Sequence, residues 1–244
     1  MQVKIIKKEQ TASVLDDIKL LAAQGAPEGT VVVAEQQTAG RGRQGRAFVS
    51  QPGGLYMALL LRPQGPAEES MPLTALLALA VCDTVEALTG LRPDAKWPND
   101  ILWNGRKLCG ILTEGQLRSG GFSHIAAGIG LNVGQESFPP PVDGIAASLR
   151  QISGLNISLD TALTQLLQCI EAVLEHELRA EALARYRRAC VNLGKLCRFQ
   201  RGTEMAQGLA EDIDEQARLI VRLENGTREA VGAGEVHLLP GSSR

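Results

Sequence analysis

Glu35-Gln36-Gln37-Thr38-Ala39-Gly40-Arg41-Gly42-Arg43-Gln44-Gly45-Arg46 is followed along the chain by Lys96-Trp97-Pro98-Asn99-Asp100-Ile101 and then by Arg106-Lys107-Leu108-Cys109-Gly110-Ile111-Leu112. The first stretch sets arginines on a glycine-rich backbone, which can approach a ligand closely and wrap phosphates. Arginine adds a permanent charge and a planar fork matched to phosphate and carboxylate oxygens. The second and third stretches bring two lysines and an aspartate to the same kind of chemistry.

Gly40-x-Gly42-x-x-Gly45 also has the form of the dinucleotide fingerprint, and it follows a strand-like run, Val31 to Ala34. That fingerprint opens a helix and needs an acid about 20 residues further on to hold a ribose. Ala47-Phe48-Val49-Ser50-Gln51-Pro52-Gly53-Gly54 does not read as a helix, and residues 46 to 67 contain no Asp or Glu. Arg41, Arg43 and Gln44 at the variable positions would crowd a pyrophosphate turn. The dehydrogenase reading is set aside.

The 244 residues suit one large domain, or a medium domain with a small one, and 44% hydrophobic with 21% charged residues is a globular profile. A net charge of −2 gives no global attraction to nucleic acid or acidic membranes. Aromatics are scarce, so aliphatic residues fill the core. Cys82, Cys109, Cys169, Cys190 and Cys197 are odd in number and lack C-x-x-C spacing. That argues against a disulfide framework or zinc site and for a reducing, cytoplasmic setting. Met1 to Lys8 has no long apolar run, so no signal peptide is expected, and no run of membrane-spanning length is expected either.

Ser13 to Ala23 reads as an amphipathic helix, with Val14, Leu15, Ile18, Leu21 and Ala22 on one face, Ser13 as cap and Gly25 as stop. Val31–Ala34, Leu55–Leu61, Leu108–Glu114 and His124–Leu131 read as strands. Pro72 to Leu88 is apolar on most sides, with Pro at its start and Gly90 past its end, and marks a core helix. Leu159, Leu163, Leu166, Leu167, Ile170, Val173, Leu174 and Leu178 predict one long helix capped by Ser158.

After about Ala189 short β-type runs alternate with turns: Leu196–Phe199, Leu209–Ile213, Leu219–Leu223, the hairpin signal Asn225-Gly226, and Val236–Leu239. The expected division is a catalytic unit over 1–189, a small β-barrel-like module over 190–240 and a disordered tail over 241–244.

In order and spacing these elements resemble the biotin protein ligases, also called biotin–[acetyl-CoA-carboxylase] ligases: G-R-G-R-x-G, K-W-P-N-D-I, R-K-x-x-G-I-L, and then G-x-G-x-N, here Gly128-Ile129-Gly130-Leu131-Asn132. The module ending in Gly234-Glu235-Val236 resembles that family's SH3-like domain. The implied architecture is an α/β (α+β) catalytic domain with a mixed β-sheet, then a small SH3-like β-barrel.

The resemblance implies a two-step reaction. Biotin and Mg-ATP give biotinyl-5′-AMP and pyrophosphate, and a lysine of a biotin carboxyl carrier protein then takes the biotinyl group and releases AMP. ATP with Mg2+ is co-substrate and biotin substrate, with no tightly bound prosthetic group and no metal site of the protein's own. Uniting a carboxylate with a phosphate needs positive charge at the site. By resemblance, Arg43, Lys96, Asp100 and Lys107 form the catalytic set. Thr11, Gln37, Gly40, Arg41, Gly42, Arg43, Lys107 and Gly110 contact biotin. Arg41, Arg43, Lys96, Asn99, Lys107 and Asn132 contact the nucleotide. The loop from Thr38 to Arg46 is expected to be mobile until ligand closes it.

Gln10-Thr11-Ala12 stands where the family has Ser-Thr-Asn, which holds biotin's ureido ring. An unpaired ureido group would lose roughly 1–3 kcal/mol. Phe48 replaces a frequent Trp.

Taken singly, these arginines and lysines are ordinary surface charges, Trp97 is a packing residue, Asn99-Asp100 is a turn, and Cys109 is a buried strand residue. His124, His176 and His237 are scattered and form no metal set. The alternative function is a lipoate–protein ligase or related acyl-adenylate ligase. A biotin-sensing repressor is disfavoured because about ten residues precede Thr11 and no basic stripe is visible; neither nucleic acid nor membrane is an expected partner. The resemblance leaves a homodimer and a monomer both open.

Overall fold

A computed structural model describes residues 2–232 and 236–239 of the chain. The expected Gly234-Glu235 and the 241–244 tail lie outside the described residues.

Strand β1 (Lys4–Thr11) leads into helix α1 (Val14–Ala23), β2 (Thr30–Gln37) and β3 (Gly54–Leu61). Helix α2 (Leu73–Thr89) precedes a short hairpin, β4 (Asp94–Lys96) and β5 (Asp100–Trp103). Two long strands follow, β6 (Arg106–Arg118) and β7 (Gly121–Asn132). The seven strands form one sheet in the order β1-β2-β3-β7-β6-β5-β4. Only β1 and β2 run parallel; the other neighbours are antiparallel, so the sheet is mixed as expected.

Period-two alternation sorts the sheet's two faces. Leu55, Met57 and Leu59 of β3 point to the main core with α2, while Ala58 and Leu60 point to a smaller cluster with Val14, Leu15 and Ile18 of α1. Helix α2 has Pro72 before its first residue and Gly90 at φ +72° after its last, which stops the helix in a left-handed turn. With the turn before it, α2 is long and apolar enough by composition to cross a membrane, yet most of it is buried as the core helix of this sheet.

Three shorter helices, α3 (Leu149–Ser153), α4 (Leu159–Glu171) and α5 (Arg179–Ala189), cover the core. Here the expected single helix reaching Leu178 is corrected. Ser158 caps α4 through the Thr161 amide, but a π turn over Ala172–His176 ends the run. Glu177 and Leu178 are extended, and Leu178 is exposed and precedes α5. An apolar spacing persisted beyond the point where the backbone turned. Strand β1 was also missed, because an edge strand with mostly exposed residues carries no hydrophobic alternation.

Strands β8 (Leu196–Arg201), β9 (Glu204–Ile213), β10 (Leu219–Leu223), β11 (Arg228–Val231) and β12 (Val236–Leu238) make an antiparallel sheet in the order β11-β10-β9-β8-β12. Asn225-Gly226 turns β10 into β11, as expected. This sheet shares the main core through Cys197, Phe199, Ile213 and Val221. Trp97 ties the two sheets: its amide donates to Asn192 Oδ1 and its indole Nε1 to the Ala217 carbonyl, both at 2.8 Å.

Candidate functional site

On the α1 side of the sheet, β6 and β7 present Gly110, Gly128 and Gly130 to one cavity of about 210 Å³. These glycines make a floor without side chains. A Cβ on Gly130 would lie 2.6 Å from the Phe48 ring, one on Gly110 2.9 Å from it, and one on Gly128 2.8 Å from Leu15. Phe48 thus packs onto bare strand backbone. Its ring meets Tyr56 edge-on at 6.4 Å, and the Lys107 ammonium stands 5.5 Å from its centroid. Tyr56 is held by donating to the Gln51 carbonyl and accepting from Gln135, and burial pushes its phenol pKa up, so it stays protonated.

The roof is the glycine–arginine loop. It forms no helix after the strand: Arg41 bridges to Ala47, and Arg43–Gly45 makes a single tight turn with Gln44 in the left-handed region. The Gly42 amide donates to the Arg46 carbonyl and the Phe48 amide to that of Gly40. Gly40 is required by crowding, since a Cβ there would lie 2.6 Å from both the Phe48 carbonyl and Ser50 Oγ. Arg43 reaches toward the β4–β5 turn, with Nη1 3.5 Å from Asn99 Oδ1.

That turn supplies the wall. Lys96 pairs in register with Asp100, so the hairpin projects both beside Lys107 at the start of β6. Lys107 Nζ lies 2.7 Å from Asp100 Oδ1, a charge contact rather than a well-angled hydrogen bond. The Lys107 backbone is fixed on both sides: its amide donates to Ile145, and its carbonyl accepts from Ala147 and from Asn132 Nδ2. Asn99 Nδ2 donates to the Ile111 carbonyl and the Ile111 amide returns to Asn99, which pins the turn to β6.

Gln37, Arg41, Gly42, Arg43, Lys96, Asn99, Asp100, Lys107 and Gly110 therefore meet at one cavity. Thr11, Gly40 and Asn132 do not line it. The Thr11 hydroxyl donates to Asp17 at the start of α1, Gly40 is packed inside the loop, and Asn132 bonds Lys107, Ala147 and Gln135.

Ser13 holds the cap position expected from the sequence and also lies in the site, where no role was expected for it. Its hydroxyl makes no cap bond, and the Val14 amide at the helix start donates to Gln37 Oε1. Ser13 Oγ is buried, borders the cavity and has no protein partner. The signal was available: Ser13 adjoins Gln10-Thr11-Ala12 at the start of a helix. Among the described residues no group of three or more His, Cys, Asp or Glu is arranged to hold a metal ion.

The fold and site define a class. The chain belongs to the biotin/lipoate A/B protein ligase family, whose model matches residues 3–132, and the model of the biotin protein ligase C-terminal domain matches residues 193–239. Among individual proteins, the chain is 33% identical to the biotin–[acetyl-CoA-carboxylase] ligase of Mycobacterium tuberculosis, over 93% of this chain and 86% of that one. It is 46% identical to the bifunctional ligase/repressor BirA of Bacillus subtilis over 62% of this chain, and spans 47% of that protein's length, about half of it. The structure of the biotin protein ligase from Aquifex aeolicus in complex with biotin and ATP superimposes with a TM-score of 0.82 at 28% identity, covering 97% of this chain and 98% of that one.

Proposed function

We propose that this chain is an ATP-dependent biotin–protein ligase that forms biotinyl-5′-AMP and passes biotin to a lysine of a biotin carboxyl carrier protein. The observation that carries the reading is one cavity that gathers Arg43, Lys96, Asp100 and Lys107 around a glycine floor, with the unpartnered Ser13 hydroxyl at its edge. The similar Aquifex protein, superimposing over nearly its whole length, holds biotin and ATP. The lipoate alternative is not favoured, since the relatives and neighbours named above are biotin ligases.

In the first step a biotin carboxylate oxygen attacks the α-phosphorus of ATP and the bond to the β-phosphate breaks, releasing pyrophosphate. Negative charge accumulates on the α-phosphoryl oxygens, and Arg43, Lys96 and Lys107 supply positive charge from fixed positions. Asp100 holds the Lys107 ammonium against the cavity wall. Ser13 is assigned to a polar group of biotin, which supplies the partner its buried hydroxyl lacks. In the second step the acceptor amine attacks the anhydride carbonyl, AMP leaves with the bonding electrons, and the nitrogen gives up one proton to water as the amide forms. Mg2+ bound with the triphosphate would add positive charge at the phosphates beside Arg43, Lys96 and Lys107, with Asp100 the carboxylate at the cavity.

We assign adenylation to residues 1–189 and treat 190–240 as the appended module. The five buried, unbridged cysteines support a cytoplasmic setting. Isothermal titration of biotin and of lipoate, with and without Mg-ATP, tests the reading. Biotin binding that tightens or turns over with ATP is expected, and a response to lipoate alone would refute it.

A further inference from the structure

Arg41 borders the cavity, yet both its terminal nitrogens are engaged elsewhere. Nη1 lies 2.5 Å from Asp16 Oδ2 and Nη2 2.6 Å from Asp16 Oδ1, a two-pronged pair between the loop and the first turn of α1. Lys19, one turn along α1, stands 3.4 Å from Asp16 and 2.6 Å from Glu114 of β6. Four charges thus alternate from the loop, across α1, to the sheet that forms the floor. Arg41 holds its proton more firmly and Asp16 gives its own up more easily because of this pairing. An isolated exposed pair contributes little, but a bidentate pair inside a network is the favourable case. Arg43, two residues on, points the other way toward Asn99.

We propose that Asp16 is a positioning residue that fastens the glycine–arginine loop through Arg41, so that Arg41 serves the site by holding the loop rather than by contacting phosphate. The kinetic consequence rests on the ligase reading above; the structural one does not.

The test compares wild type, Asp16→Arg, Arg41→Asp and the double variant in which the two charges are exchanged. Asp16→Asn serves as a gentler fifth protein should a charge reversal disturb folding. The first readout is hydrogen exchange, without ligand, at the Gly42, Arg46 and Phe48 amides that close the loop. Each single variant is expected to exchange about three- to tenfold faster, as the loss of roughly a kcal/mol dictates, with the exchanged pair slower than Arg41→Asp but short of wild type, because Lys19 then faces a cation at position 16. The second readout is biotin-dependent pyrophosphate release. The singles should raise KM for biotin and ATP more than they lower kcat, and the exchanged pair should recover part of the KM lost in Arg41→Asp. A double variant as impaired as Arg41→Asp alone, or loop exchange indifferent to all the substitutions, would overturn the proposal. Wild type that releases no pyrophosphate with biotin would instead refute the ligase reading, and loop exchange would still decide the fastener.

Discussion

Replacing Gly130 by alanine puts a methyl where the Phe48 ring now lies. The new Cβ would stand 2.6 Å from Phe48 Cε1, whereas ordinary contact begins at 3.4 Å. The ring must therefore withdraw by about 0.8 Å, an overpacking that costs roughly 1–3 kcal/mol. For a chain of this length that lowers Tm by about 2–12 °C. Phe48 cannot move alone, because Lys107 stands over its ring and Gly110 lies under it. If Lys107 acts as proposed above, displacing its ammonium by close to an ångström costs on the order of 10²-fold in rate. Thermal unfolding and biotin-dependent pyrophosphate release measure the two effects separately. Adding Phe48→Leu should recover most of the lost stability, since the two sites share one contact and are not additive. A Gly130→Ala protein with wild-type Tm and kcat/KM would refute the account of the glycine floor.

Four further outcomes are expected. Arg43→Glu should lower adenylate formation by about 10²–10³-fold by setting a like charge against the phosphates, read as pyrophosphate release. Ser13→Ala should raise the Tm of the ligand-free protein, by removing a buried unpaired hydroxyl, while weakening biotin binding about tenfold in a titration. His124 is buried, and burial, then Arg62, then Lys19, hold its pKa below 6.5. The unfolded chain therefore binds the extra proton first, so stability is unaffected above pH 6.5 and falls as pH drops below it; His124→Gln should flatten that decline in denaturant titrations between pH 7 and 5. Burial pushes the Cys190 and Cys197 thiols up to about 11 and Cys82 to about 12, so native protein at pH 8 should react with a disulfide reagent only on unfolding.

Much of the fold was legible because local signals agreed with it. Helix α2 announced itself by its apolar run between Pro72 and Gly90, and β10 and β11 by Asn225-Gly226. The break after α4 was not legible, since Leu174 and Leu178 kept the helical spacing while Glu177 turned extended. Nor was β1, whose exposed lysines and glutamate give an edge strand no apolar stripe. In the site, rejecting a dinucleotide turn at Gly40–Gly45 agrees with a loop that opens no helix. Ser13 was read as a cap because sequence shows a residue's place in the chain and not where its hydroxyl points.

By itself the sequence determined the chemistry available to this protein: which cations, which glycines and which carboxylate exist, and in what order. Only the tertiary structure decided which of them share a cavity. Lys96, Asp100 and Lys107 meet through strand register, and Arg43 reaches Asn99 across the roof. Thr11 and Asn132 are instead committed to holding α1 and β6 in place, and Arg41 to Asp16. The physical reason is that a side chain's task depends on which partner satisfies it, and those partners lie far along the chain and are brought near only by packing.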